Sequence, residues 1–487
     1  MLNAIARKLA ADSMKIFFII PPSIHYIEPY AYVQADRNNV ARPPLGLLYV
    51  AAALRQSQSA EIRIIDLNIG GATIEGLERI LREEKPDVVG FSVLSFNLLN
   101  CMEVCKVVRR ASPKTLICFG GWHPTLYPEE TLGLGVADLI VIGEGEQTFC
   151  ELIGALGQGV DAGNDALSGI RGMGYRSRDG SIKINERREP VRNLDKLPFP
   201  AYDLIDAERY SHLLATTDNA VSIMTSRGCP QKCVFCDLRS TPYRFRSPSN
   251  VLEEIRQHYD RGVREFFIQD DNFTLSRKRS LEFCRLLMDS GIKIKYKISS
   301  RVDHLDDELL RALKLSGCYR VYLGVESGSQ KMLDCLEKGI TVDQIRKSFH
   351  LANLHGIDCC AYIMIGIPGE GDREIGETMM LVREIRPRHL QCSICTPMPK
   401  TRLYAKLMEE GAISEDYWLA FAKKPDPSFR TRFASTSFSG DELRQMQNDI
   451  QKRFYWSLRI VWRELRETRG IKGLATKARL AIKMLFA

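Results

Sequence analysis

AVSIMTSRGCPQKCVFCDLRS, residues 220–240, passes from a short apolar, β-rich run into a loop that carries three cysteines, Cys229, Cys233 and Cys236, spaced C-x3-C-x2-C. A structural zinc site closes with four ligands, and a disulfide framework uses its cysteines in pairs. Three thiols on one loop leave a coordination position open, and an open position is where chemistry enters. Thiolate sulfur suits iron, and small residues in the loop let backbone amides approach inorganic sulfide, so one corner of a cubane iron–sulfur (4Fe-4S) cluster fits. Zinc with a distant fourth ligand and thiols that merely pack are the competing readings. No second pair at finger-like spacing follows.

Downstream of the loop come EFFIQDDNFT, IKYKISSRV, RVYLGVESGS, DCCAYIMIGIPGE and HLQCSICTPMP, separated by amphipathic helical segments. With the run at 220 they make six βα units, which predict a partial (β/α)6 TIM-type barrel over residues 216–405, functional at its C-terminal rim. Upstream, MKIFFIIPPS, EIRIIDLN, PDVVGFSVLSFN, TLICFGGWHP and DLIVIGEGEQTF also alternate with helical periods. That pattern predicts an α/β, Rossmann-like doubly wound domain over 14–150, with ligands beyond its strand ends at Pro21–Ser23, Ser92–Ser95 and Gly120–Trp122. Residues 151–215 read as a linker with a β-hairpin, and 406–487 as a C-terminal helical region with a basic amphipathic tail. Cys101 and Cys105, Cys359 and Cys360, and Cys392 and Cys395 read as core cysteines.

A chain of 487 residues is too long for one core. No run approaches the roughly 18 uncharged apolar residues that a membrane span needs, and the N-terminal stretch does not read as a secretory signal. Fourteen irregularly spaced cysteines indicate a reducing compartment, the cytoplasm. The net charge of +8 sits wholly in residues 452–487, which hold ten Lys/Arg against two Glu; the rest of the chain balances at 58 of each sign. That tail is expected to make a peripheral membrane contact, at the inner face, or to pack as a helix pair with a solvated basic side. Nucleic acid is not expected as a partner, since no aromatic platform or RNA-module signature accompanies the charge.

CPQKCVFC, with Phe235 before its last cysteine, resembles the signature of radical S-adenosylmethionine (radical SAM) enzymes. The resemblance implies that SAM chelates the open iron and that its reductive cleavage yields a 5′-deoxyadenosyl radical. It also implies SAM contacts: Asp270 and Asp271 with the methionine ammonium, Glu326 with the ammonium or ribose, Ser299 and Arg301 with ribose or carboxylate, and Ile365 to Pro368 beneath adenine. The first domain, with RPPLGLLYVAAAL, GGWHP, GEGEQTF and then PFPAYD, resembles the cobalamin-binding subgroup, which includes methyltransferases and an anaerobic magnesium-protoporphyrin monomethyl ester cyclase. Cobalamin is then implied, its nucleotide tail lined by Ser92, Leu94, Gly120 and Gly121. Many cobalamin domains carry D-x-H-x-x-G after the first strand; here the place reads PPSIHYIEP, so the lower axial ligand is unassigned, and the nearby His25 reads as an ordinary surface or core residue. The expected activity is methylation of an unactivated carbon of a hydrophobic small molecule (lipid, isoprenoid or tetrapyrrole-like), with flavodoxin or ferredoxin as electron donor. The alternatives are an oxidative cyclase or rearrangement enzyme, a cobalamin-independent modifier of RNA or protein, and a non-catalytic cobalamin sensor.

Overall fold

The computed structural model describes residues 13–25, 27, 42–210, 220–238, 241–457, 460, 462 and 463. They divide into two compact units. One holds the described residues up to 210 together with 415–430; the other holds 220–414 and those from 431 on.

In the first unit, apolar runs buried on both faces make a parallel sheet, as such runs do when helices cover both sides. Its strands are β1 (Met14–Ile20), β2 (Ala60–Asp66), β3 (Val88–Ser92), β4 (Leu116–Gly120) and β5 (Leu139–Val141), extended by β6 (Met173–Arg176) and β7 (Ile182–Ile184). The order is β2-β1-β3-β4-β5-β6-β7. β1 pairs in parallel with β2 on one side and β3 on the other, with Ile16 opposite both Ile62 and Val88. The chain's direction of progress therefore reverses between β1 and β3, the switch point at which doubly wound sheets hold ligands. The 173–184 hairpin, read from sequence as part of a linker, adds two antiparallel strands to the exposed edge of β5, Ile140 facing Gly174. The helix Tyr417–Lys423 also belongs to this unit. Its Trp418 is fully buried and meets Phe96 edge-on at 5.8 Å, with the Phe429 ring 5.1 Å from Trp418.

The second unit carries β8 (Ala220–Ile223), β11 (Glu265–Ile268), β12 (Lys295–Ser300), β13 (Cys318–Glu326), β14 (Asp358–Ile365) and β15 (His389–Ile394). They lie in strict sequence order, every pair parallel, as six successive βα units require. A two-stranded ribbon, β9 (Ser226–Arg227) with β10 (Arg244–Phe245), interrupts the first unit of that series and encloses the cysteine loop. Helix starts follow local chemistry: Ser247, Ser276, Asp306 and Thr341 each accept a backbone N–H of their own first turn. On β14 and β15, Ile363, Ile365, Cys392 and Ile394 are buried, whereas Tyr362, Met364, Gln391 and Ser393 between them are half-exposed. Alternation of that kind leaves one face of the sheet open as a lumen. The free edge of β15 is covered by the helix Gly440–Tyr455, from which Gln447 Nε2 donates to Cys392 O (2.7 Å) and the Tyr455 hydroxyl to Leu390 O (2.9 Å).

The six cysteines read as core are buried. Most of the basic tail lies outside the described residues. Among the described residues no helix is long and apolar enough to cross a membrane.

Candidate active site

The cysteine loop hangs from one buried carboxylate. Asp270, just past the end of β11, accepts the Thr225 and Ser226 amides on Oδ1 (2.6 and 3.0 Å) and their hydroxyls on Oδ2 (2.5 and 2.7 Å). Arg279, 3.9 Å from the same carboxylate, donates to the Thr225 carbonyl and hydroxyl and to Arg246 O, tying β9 to β10. Both Asp270 oxygens are thus engaged within the protein. Beyond the ribbon, Gly228 has φ 85°, and a Cβ there would run into the Pro242 carbonyl oxygen. Thr241 Oγ1 accepts the Cys229 amide at 2.8 Å, and Val234 joins Leu336 O and the Leu403 amide (3.1 and 2.8 Å).

Cys233 is buried, and Cys229, Phe235 and Cys236 are half-buried. Burial pushes the Cys229 thiol up and that of Cys236 to about 12. These thiols keep their protons until a metal displaces them. Arg301, past the end of β12, sets Nη1 3.8 Å from Cys233 Sγ while its other nitrogens grip Asp303 (2.9 and 3.0 Å) and Lys338 O (2.8 Å).

Around this loop the structure gathers most of the residues singled out from sequence. Asp271 is open to solvent yet walled by protein; desolvation, then the charges of Asp270 and Asp237, push its carboxyl up to about 6. Glu326 closes β13, buried and paired with Lys338 at 2.7 Å. Ser299 is half-exposed on β12. Ile365 is fully buried, on the face opposite Tyr362 and Met364, and Pro368 is half-exposed in the turn that follows. That turn is pinned by a residue that sequence reasoning quoted without using. Glu370 is fully buried and accepts the Gly366 and Ile367 amides (2.6 and 3.2 Å), and its Oε1 has no hydrogen-bond partner among the described residues. Burial pushes its carboxyl up to about 7.

In the first unit, the segment after β1 is clamped by two asparagines. Asn68 Nδ2 donates to Pro21 O at 2.9 Å; Asn100 accepts the Ile24 and His25 amides (3.2 and 2.7 Å) and donates to His25 O (2.8 Å). After β3 and β4, Ser92 is exposed and Gly120 and Gly121 are half-buried. Gly121 has φ 95°, and a Cβ on it would meet Val93 O at 2.9 Å and Ser92 Oγ at 3.2 Å, so only glycine fits. Two large apolar side chains stand exposed here, Ile24 (62%) and Leu94 (45%), one on each side of the switch point. His123, quoted in GGWHP but assigned no role, is buried with Nδ1 2.9 Å from Ser95 Oγ; burial pushes its imidazole down to about 4, so it is neutral.

A Rossmann-like sheet with an open switch point, and a parallel six-strand unit with a three-thiol loop at its rim, define a protein that holds two different cofactors. Comparison with known proteins gives the class. The B12 binding domain matches residues 40–153 and the radical SAM superfamily residues 223–382. An uncharacterised methyltransferase of Pyrococcus horikoshii is 29% identical over 94% of this chain and 96% of its own. The anaerobic magnesium-protoporphyrin IX monomethyl ester cyclase of Rubrivivax gelatinosus is 26% identical over 75% of this chain and 66% of its own length. The solved structure of OxsB, a cobalamin-dependent S-adenosylmethionine radical enzyme with aqua-cobalamin and S-adenosylmethionine bound, shares the fold with a TM-score of 0.72 at 18% identity, over 97% of this chain and 72% of its own. The chain carries a B12 binding domain and a radical SAM domain, and its relatives include methyltransferases and a cyclase that share them.

The residues present fit both groups. Three free thiols on one loop supply soft donors for iron. Among the described residues no three His, Cys, Asp or Glu side chains converge on a single ion, and a cluster, which takes each thiolate on a different iron, asks for no such convergence. At the switch point, exposed Ile24 and Leu94 beside two glycines suit a large ring system with an apolar edge.

Two outcomes follow. Asp270→Ala leaves two buried amides and two hydroxyls without their acceptor and should cost about 3–5 kcal/mol. Iron bound on anaerobic reconstitution should fall well below the wild-type content; full iron content would mean that the loop holds its shape unaided. Glu370 keeps its proton in the folded state to about pH 7, above its ordinary range, so stability should fall as pH rises between those values, by about 2–3 kcal/mol in all. Glu370→Gln retains the acceptor for both amides and should flatten that slope in thermal melts; an unchanged slope would contradict the assignment.

Proposed function

We propose that this enzyme methylates an unactivated carbon of a hydrophobic small molecule. The observation that carries the reading is that one chain holds both a three-thiol loop at a barrel rim and a separate open switch point edged by exposed Ile24 and Leu94. When bound, the 4Fe-4S cluster with SAM and the cobalamin supply the radical and the methyl group, the hard steps that cofactors carry in such enzymes. The protein holds and orients. Cys229, Cys233 and Cys236 ligate the cluster, with Phe235 packed in their loop, and Asp270 acts through Thr225 and Ser226 to set that loop's shape. Asp271 and Glu326 offer carboxylates to the amino group or ribose of SAM, Ser299 reaches the ribose, and Ile365 to Pro368 form the strand end and turn beneath adenine. Arg301, already spent on Asp303, Lys338 O and Cys233, serves SAM by steadying the cluster loop. Ser92, Leu94, Gly120 and Gly121 line the cobalamin tail.

The half-exposed face of Phe267, Tyr362 and Met364 supports an apolar substrate, as does a relative named for a porphyrin ester. Methyl transfer is favoured over cyclisation because the methyltransferase relative aligns over nearly its whole length, the cyclase over about two thirds. In this reading flavodoxin or ferredoxin delivers the electron in the cytoplasm, and the ten basic residues of 452–487 rest against the membrane's inner face.

The protein purified without oxygen, supplied with iron, sulfide and hydroxocobalamin and then desalted, should retain corrinoid and form 5′-deoxyadenosine from SAM when reduced. A Cys229/Cys233/Cys236→Ala variant should lose that product and keep the corrinoid. Cleavage of SAM without retained corrinoid would remove cobalamin-dependent methylation; no cleavage at all would return the loop to zinc.

A further inference from the structure

Most of the large apolar side chains left exposed in the second unit stand at one end of it. Met288, Leu315 and Leu354 lie in the last turns of the helices Arg277–Asp289, Asp307–Leu315 and Val342–Leu354. In successive βα units each helix runs back against its strands, so every helix C-terminus lies beside the strands' N-terminal ends. Contacts across that end bear this out. The Tyr296 amide donates to Gly317 O (3.1 Å), the Arg388 amide to Cys359 O (2.7 Å), and Lys314 Nζ to Gly356 O, which ties two helix ends together. The helix Gly440–Tyr455 arrives at the same place. It descends along β15 from Gln447 at Cys392 to Tyr455 at Leu390, and Arg463 Nη2 then reaches Arg388 O at 2.6 Å. Trp456 and Trp462 are therefore exposed there too, and all five side chains are between 42% and 67% exposed.

Charge at this end has one sign. The turns that lead from helix back into strand, 261–264, 290–294, 316–317, 355–357 and 386–388, hold Arg261, Arg264, Lys293, Arg386 and Arg388 and no Asp or Glu. Of the acids near them, Asp289, Asp358 and Glu384 are each paired with an arginine, and Asp260 adjoins Arg261. From this end the chain runs on past Arg463 into residues 464–487, outside the described residues, which hold six Lys/Arg against two Glu. A stable protein interface wants a contiguous apolar centre depleted of charge. Separate apolar tips among Lys and Arg, with tryptophans beside them, suit an anionic lipid surface, which takes the tips at its headgroup boundary and the cations at its phosphates. Nucleic acid would take the cations and give Leu315 and Leu354 nothing.

We infer that the N-terminal end of the six-strand unit is a docking face for an anionic bilayer, with Leu315, Leu354, Trp456 and Trp462 entering its interface. The inference rests on the reading above, which brings residues 452–487 to a membrane, and it adds the barrel's own helix ends and turns to that contact. The thiol loop hangs from the opposite ends of the same strands, so docking leaves the reactive rim clear of the lipid.

The test is flotation of the full, anaerobically reconstituted chain with phosphatidylcholine vesicles, with and without phosphatidylglycerol, while SAM cleavage is followed on the same preparations. Wild type should float with the anionic vesicles, and less so as salt is raised. Leu315→Ser/Leu354→Ser leaves the tail and every charge in place and should weaken that binding roughly 10-fold. Met380→Ser, an exposed site on the helix Asp372–Ile385 away from its last turn, should leave binding as it was. A double variant that floats like wild type would make the tail the sole contact, overturning the inference while the membrane reading stood. A wild type that floats with neither vesicle would overturn both, and SAM cleavage in that protein would show that the catalytic reading survives. Retention on RNA in preference to vesicles, equal in wild type and double variant, would overturn the inference as well. Should the double variant not fold, quenching of wild-type tryptophan fluorescence by brominated phosphatidylglycerol decides. Quenching that disappears in Trp456→Phe/Trp462→Phe is expected, and its absence from wild type would refute the claim.

Discussion

One buried carboxylate organises the working end of the second unit. Asp270 takes four hydrogen bonds from two consecutive residues, Thr225 and Ser226, and has Arg279 close behind it. A buried carboxylate is costly unless its oxygens are hydrogen-bonded, and here each oxygen accepts two bonds. The strand end it fixes is the root of the cysteine loop, and Arg279 transmits the same constraint to β10, where the loop returns. The two segments that flank the three thiols are therefore fixed by side chains that lie outside the loop itself.

The rim repeats that logic at a second level. Arg301 grips Asp303 while facing a thiol, Glu370 holds the Gly366–Ile367 amides, and Lys338 orders Glu326. Charged residues here are mostly spent on one another and on backbone, whereas Asp271 stays open to solvent. The first unit uses different means at its switch point: asparagine clamps on backbone, a glycine that alone can pass close to Val93, and apolar side chains left in the open. A polar, charge-bearing ligand suits the first arrangement and a large, partly apolar one the second.

Much of this was legible in the letters. Continuous apolar runs such as MKIFFII and alternating ones such as DCCAYIMI report strands directly, and their number and spacing lead to parallel sheets in chain order. The C-x3-C-x2-C loop and its place after a strand were equally plain. What the letters hide is long-range. That the 173–184 hairpin pairs with β5 depends on which sheet edge is free, and that Trp418 buries against Phe96 depends on a contact more than three hundred residues away in sequence. Burial hides in the same way: His123 and Glu370 stood inside quoted motifs, but their neutrality or raised affinity for a proton comes from surroundings assembled by the fold. Arg301 and Asp270 stand at strand ends in the letters, but that Lys338 O and the Thr225 amide engage them depends on segments distant in sequence.

The central claim is that three protein thiols leave one iron of a cluster for SAM. Mössbauer spectroscopy of the reconstituted, iron-enriched protein tests it most directly. The account predicts one iron site distinct from the other three, with parameters that change when SAM is added and the rest stay put. Four equivalent irons indifferent to SAM, or thiols filled by zinc in place of a cluster, would contradict it.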